Sequence, residues 1–133
     1  MIVDTSAIVA IWCGEPTAAA LSSALQGADH ALMSAASYVE LCAVLDNRGM
    51  PERNRSVDAL LRAYGIEIVP FTEAQARSAR DAYRDFGKGS GHGAGLNIGD
   101  CYSYALAHEM DDELLFVGDD FGHTDLRSAM PAD

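Results

Sequence analysis

The chain is short of cysteine, of basic residues and of long apolar runs, and each shortage excludes something. Its three cysteines, Cys13, Cys42 and Cys101, are widely spaced, odd in number and without a CxxC pair. Neither a zinc site nor a disulfide framework is expected; the thiols read as small buried or half-buried side chains in a reducing compartment. Lysine and arginine number 9 against 20 aspartates and glutamates, a net charge of −11. That argues against binding nucleic acid by bulk electrostatics, because few cations can displace counterions. It leaves open an enzyme whose metal site concentrates carboxylates beside a local basic rim. No apolar run approaches the roughly 20 residues of a membrane helix, and mean hydropathy is zero. The opening MIVDTSAIVAIW lacks a basic n-region and carries Asp4, so it reads as a buried strand and helix rather than a signal peptide. The default expectation is a cytoplasmic protein with no membrane partner.

What is present is enough for a core. A chain of 133 residues with 49% apolar content suits one domain spanning 1–133. Met1–Asp4 predicts a first strand, and Thr5 or Ser6 caps a helix that Gly14 ends. Pro16 reads as a first-turn residue of a second helix reaching about Gly27. His30–Met33 is a short strand. Ser34 caps a helix from about Ala35 to Arg48, stopped by Gly49. Pro51 opens a helix closed by Gly65; Ile66–Val69 is a β-branched strand ended by Pro70. Thr72 with Gln75 has the capping-box pattern for a helix to Phe86. Gly87–Gly95 holds five glycines in nine residues and reads as a mobile loop. Asn97–Asp100 leads into a helix to about Met110, Leu114–Val117 forms a last strand, and GDDFGHTDL makes a loop or short helical turn. Pro131 falls in a loose tail. Strands alternating with helices predict an α/β fold, a short parallel sheet flanked by helices in three α/β/α layers, with ligands beyond the carboxyl ends of the strands.

Four acids belong at that edge. Asp4 ends the first strand and Asp120 follows the last; Glu40 and Asp100 lie on helices that can project carboxylates into the same cleft. Taken singly each has an ordinary role: Asp4 as a helix cap, Asp100 as a cap or first-turn acid favoured by the macrodipole, the Asp119–Asp120 pair as turn residues. Glu40, among Tyr38, Val39, Leu41 and Val44, is either solvated or a buried ligand. Together they repel one another unless a cation compensates them, and a hard divalent ion bound by oxygens does so. Mg2+ takes one or two carboxylates directly and others through water; four acids can hold one ion, or two about 4 Å apart. Such a site suits in-line attack on a phosphodiester.

The segments MIVDTSAIVAI, SAASYVEL, FGKGSGHGAGLNIGDCYSYALA and LLFVGDDFGHTDL resemble the PIN-domain family, and within it the VapC toxin ribonucleases of bacterial toxin–antitoxin pairs, over roughly residues 1–126. The resemblance implies a metal-dependent endoribonuclease using Mg2+, with Mn2+ the alternative. Its four acids fall on Asp4, Glu40, Asp100 and Asp120, with Asp119 in reserve for the last. Asp4 and Asp100 are the implied direct ligands, Glu40 and Asp120 acting partly through water. Thr5 and Ser6 match a small polar pair after the first acid, able to position water or phosphate or to cap the helix. The family also implies an RNA substrate, a VapB-like antitoxin that blocks the cleft, and homodimers within a larger toxin–antitoxin complex.

Other residues carry weaker expectations. Arg80, Arg84 and Lys88 can line an RNA path as a basic rim, or form a solvated face with Asp81 and Asp85. His92 reads as non-catalytic, and His123 as a candidate substrate contact. Tyr102 and Tyr104 read as packing residues rather than base-stacking platforms. The glycine-rich loop is not a P-loop, because no GK[ST] follows at the right distance. A haloacid-dehalogenase phosphatase or a receiver domain is a competing class, but Thr5 and Ser6 stand where a DxD motif needs a second acid and no lysine follows Lys88. A non-catalytic binding module is the third.

Overall fold

Short apolar strands and their helices assemble into a three-layer domain in the computed structural model, which describes residues 1–49 and 51–130 apart from the side chains of Pro51, Arg53 and Asn54. Pro131 lies outside the described residues. In chain order the elements are β1 (Ile2–Val3), α1 (Thr5–Cys13), α2 (Ala18–Gly27), β2 (Ala31–Ser34), α3 (Ala35–Asn47), α4 (Pro51–Ala63), β3 (Ile66–Val69), α5 (Glu73–Phe86), α6 (Ile98–Met110) and β4 (Leu114–Leu115), followed by a 3-10 turn at Asp120–His123. Among the described residues no helix is long and apolar enough to cross a membrane.

The strands form one sheet in the order β3-β2-β1-β4, and every pairing is parallel. The chain builds outward from β1 through β2 and β3, then returns to place β4 on the other side of β1. The order therefore reverses between β1 and β4, and the crevice beyond their carboxyl ends is where such sheets hold ligands. The period of two along each strand divides the core. Val3, Met33 and Leu115 face one apolar layer with α1 to α4, whereas Ile2 and Leu114 face the other with α5 and α6. Ile2, Val3, Leu114 and Leu115 have no exposed surface; burying each stabilises the fold by about 1.5–3 kcal/mol. The outer strand β3 is half-exposed, and Glu67 on it discourages further pairing.

Several local expectations need correction. Pro16 lies before α2 rather than in its first turn, since Thr17 is the N-cap. α1 is capped by Asp4, whose side chain accepts the Ser6 backbone N–H; neither Thr5 nor Ser6 is the cap. The last strand is shorter than Leu114–Val117, because its neighbour β1 turns into α1 at Thr5 and the Val117 N–H bonds the Ser6 hydroxyl instead of a strand carbonyl. Thr72 caps α5, but the Gln75 side chain reaches Glu109 rather than back to Thr72. The reciprocal capping box belongs to Asn97 and Asp100 on α6. The glycine-rich segment is pinned at its base, where Lys88 N–H bonds the Leu96 carbonyl and Leu96 N–H the Phe86 carbonyl.

Leu115 is fully buried beside Val3 at the strand pair on which the crevice stands. Leu115→Ala should lower unfolding free energy by about 2–5 kcal/mol, measured by urea denaturation followed by circular dichroism.

Candidate active site

Asp4, Glu40 and Asp100 line one cleft of about 200 Å3, and Asp120 stands close enough to Asp100 to repel its charge. Thr5, Ser6, Asn97 and Arg48 complete much of the wall. The acids reach it by four different routes. Asp4 is the first residue after β1 and the N-cap of α1. Its amide continues the sheet ladder to the Leu115 carbonyl at 3.0 Å. Glu40 projects from the middle of α3. Asp100 is the third residue of α6, held by its capping box: Asp100 N–H donates to Asn97 Oδ1 and Asn97 N–H to Asp100 Oδ2, both at 2.9 Å. Asp120 opens the 3-10 turn after β4.

Asp4 is 3% exposed, so its charge has to be met by donors. Oδ2 accepts the Ser6 N–H at 3.0 Å and the Ser6 hydroxyl at 2.6 Å; Oδ1 accepts the buried Ser103 hydroxyl at 2.5 Å. Glu40 is half-buried, and its carboxylate lies against the α-carbon of Gly99. A β-carbon at position 99 would overlap Oε2 and stand 2.9 Å from Oε1. Only glycine lets the Glu40 carboxylate settle on the first turn of α6, where the helix dipole favours negative charge. The Thr5 hydroxyl lies 3.0 Å from the Ser37 carbonyl and also within hydrogen-bonding reach of Glu40. Having one proton, it donates to one of them at a time.

The acids raise one another's protonation. Asp100 is pushed from 3.8 up to about 6, first by burial and then by the charges of Asp4, Asp120 and Glu40, against the stabilising Asn97 N–H. Glu40 is pushed up by burial and by Asp4, with Thr5 opposing. All the candidate donors are hard oxygens, which suits Mg2+ or Mn2+ and not a thiophilic metal. Among the described residues no three acidic, imidazole or thiol groups are close enough to encage an ion by themselves. The arrangement thus fits an ion that takes one or two carboxylates directly and completes its shell with water.

The remaining expected residues divide. Asp120 is near enough to Asp100 to act on its charge, whereas Asp119 lines a separate groove with Pro16, Leu21 and Met130. The Ser6 hydroxyl is occupied between Asp4 and Val117 N–H. Arg84 does not line the cleft; its guanidinium bonds Asp85 and Asp81 on the exposed face of α5. Lys88 lies at the pinned base of the glycine segment, and His123 is exposed on the 3-10 turn; neither lines the cleft. His92 packs edge-on against Phe86 and accepts the Ala94 N–H, a loop-holding role. Tyr104 is 6% exposed with its hydroxyl on Asp125, and Tyr102 packs edge-on against Phe71. Four residues of the site were not anticipated from sequence: Ser103, Gly99, Asn97 and Arg48. Of these only Asn97 had a local signal, its place three residues before Asp100.

A family model described as PIN domain matches residues 1–126. Ribonuclease VapC42 of Mycobacterium tuberculosis is 57% identical over 97% of this chain and 98% of its own length. Ribonuclease VapC28 of the same organism is 53% identical over 98% of each. Among solved structures, Mycobacterium tuberculosis VapC20, described as a sarcin-ricin loop cleaving toxin, superposes with a TM-score of 0.79 over 98% of each chain at 14% identity. A toxin–antitoxin complex from Klebsiella pneumoniae gives 0.68, again over 98% of each chain and at 14% identity. At that identity the two structures show a shared fold.

A carboxyl whose folded-state value is raised from 3.8 to about 6 stabilises the fold below pH 3.8, and that contribution is lost as pH rises through 6. The full shift corresponds to at most about 3 kcal/mol; partial solvent screening reduces this to about 1–2 kcal/mol. In chelator-containing buffer, Asp100→Asn should therefore be about 1–2 kcal/mol more stable than the parent at pH 7.5 and equal to it near pH 4. Urea melts across that range check this; parallel pH profiles for the two proteins would refute it.

Proposed function

We propose that this chain, which belongs to the PIN-domain family and to its VapC ribonuclease group, cleaves RNA at the Asp4–Glu40–Asp100–Asp120 cleft with a divalent ion, as the toxin of a toxin–antitoxin pair. The observation that carries the reading is that acids from the end of β1, from α3 and from α6 line one crevice at the sheet's switch point, with Asp120 in the turn after β4 near enough to act on the charge of Asp100. Mg2+ is the preferred ion and Mn2+ the alternative. The Klebsiella pneumoniae structure, a neighbour described as a toxin–antitoxin complex, supports a VapB-like antitoxin as partner. Homodimers and a single domain over 1–133 complete the reading.

Asp4 and Asp100 would hold the ion directly, with Glu40 and Asp120 engaging it through water. When bound, the ion supplies positive charge to the phosphoryl oxygens and a more acidic water. The protein contributes the rest. Ser6 and Ser103 fix both oxygens of Asp4, and Asn97 fixes Asp100, so the carboxylates meet the substrate already oriented. Glu40, held above its ordinary range by burial, takes the proton of the attacking water on its carboxylate. The new P–O bond forms in line with the one that breaks, and the leaving oxygen is protonated from solvent. Arg48, half-exposed on the cleft wall and 3.9 Å from Glu15, meets a non-bridging phosphate oxygen of the RNA. In a protein of net charge −11 this local cation matters more than surface charge at large.

Asp4→Asn and Asp100→Asn should each lower RNA cleavage at least about 100-fold while the proteins remain folded, read by end-mapping of total RNA after incubation with Mg2+. Undiminished cleavage by both would end the nuclease reading. Gly99→Ala separates activity from stability. Alanine favours the helix by up to about 1 kcal/mol, yet its β-carbon must expel the Glu40 carboxylate. The variant should melt no lower than the parent and cleave about 10- to 100-fold more slowly.

A further inference from the structure

Beneath the three cleft acids runs a buried line of hydroxyls that touches neither the substrate nor the reacting atoms. Ser37 is fully buried on α3, three residues before Glu40; Ser103 is 1% exposed on α6, three residues after Asp100. Their oxygens are 3.2 Å apart, and Ser103 Oγ is 2.5 Å from Asp4 Oδ1. A carboxylate oxygen only accepts, so the single Ser103 proton points to Asp4. Ser103 Oγ is then left as acceptor, and Ser37 must be the donor to it. The polarity of the whole line is settled: Ser37 O–H to Ser103 Oγ, Ser103 O–H to Asp4 Oδ1. Each bond polarises the next in a site closed to water. The Ser37 carbonyl meanwhile accepts the Thr5 hydroxyl at 3.0 Å, fastening α3 to the residue after Asp4.

We propose that Ser103, backed by Ser37, is a positioning residue that holds the inner oxygen of Asp4 in place and so sets the affinity of the cleft for its divalent ion. The inference rests on the metal-dependent reading of the site. Asp4 is shared between two hydroxyl-bearing neighbours: Ser6 governs Oδ2 from within α1, and Ser103 governs Oδ1 from across the core, 99 residues away. Removing the Ser103 hydroxyl leaves a 3%-exposed carboxylate fixed at Oδ2 by Ser6 alone, with its inner oxygen unpartnered and less tightly oriented. Partners that orient a ligand in this way change metal affinity by about 10- to 100-fold. The line also joins the turn from β1 into α1, α3 and α6, which carry Asp4, Glu40 and Asp100, so the spacing of the three acids is set by bonds beneath them as well as by packing.

The test is thermal melting of the full chain titrated with Mn2+ or Mg2+, for the parent, Ser103→Ala, Ser37→Ala and Asp4→Asn. The parent should gain stability with the ion, and Asp4→Asn should not. Ser103→Ala should need about tenfold more ion for half the gain, and Ser37→Ala about two- to threefold more. A merely structural role would move the melting point without ion and leave the ion midpoint where it was; that result overturns the proposal. Should Ser103→Ala fail to fold, Ser37→Ala decides: an unchanged midpoint overturns the proposal and a raised one supports it. A parent that gains nothing from either ion overturns the metal reading itself, and this inference with it.

Discussion

The structure turns on keeping one carboxylate, that of Asp4, in a nearly dry place. At 3% exposure an unassisted charge would cost several kcal/mol, and the surroundings are arranged to offset that. Its position follows from β1, whose two residues lie fully buried in the middle of the sheet; the next residue is where the chain leaves the strand and enters α1. The same carboxylate therefore caps α1, accepts from Ser6, and accepts from Ser103 across the core. Ser6 in turn takes the Val117 N–H, which ends β4 early and turns the chain toward Asp119 and Asp120. A strand boundary, a helix start and a loop direction thus follow from how Asp4 is held.

Gathering more acids around Asp4 is tolerable because helix ends face them. Asp4 caps α1, Asp100 completes the capping box of α6, the Glu40 carboxylate rests on the first turn of α6, and Asp120 begins the 3-10 turn. Each of these ends presents unpaired N–H groups and partial positive charge. The offset is incomplete, since Asp100 still sits near 6. The residual repulsion is what a divalent cation would relieve.

This double use explains what could and could not be read from the sequence. The alternation of apolar strands with glycine-stopped helices was legible, because each element carries its own period and its own stop. The four acids were legible as a set but ambiguous singly, since a capping aspartate and a ligand aspartate look alike along the chain. In the structure Asp4 and Asp100 are caps that also face the cleft, so the two readings are not exclusive. Ser103 and Gly99 were invisible for another reason. DCYSYALA reads as an ordinary buried helix, and nothing local says that Asp4 lies over one position and Glu40 over another. The basic rim misdirected for the opposite reason. Arg80 and Arg84 carry their partners Asp81 and Asp85 beside them in sequence, and the local pairs prevail.

Those local pairs bear on how an acidic enzyme holds a polyanion. Arg77, Arg80, Arg84 and Arg127 each stand on the surface against a neighbouring carboxylate. Such pairs contribute at most about 1 kcal/mol, but they cancel the positive charge that would otherwise attract RNA from a distance. Among the described residues lining the acid cleft, Arg48 is the one basic side chain, and its Glu15 contact is long at 3.9 Å. On the proposed reading, attraction is concentrated at the cleft, where Arg48 and a bound ion would act together on the phosphate. A surface of net charge −11 would then disfavour duplex backbone lying flat against the protein. It favours a single strand that can present one phosphate to the crevice. Specificity on this view begins with exclusion: the substrate must bring a local geometry flexible enough to enter, and the fixed carboxylates do the rest.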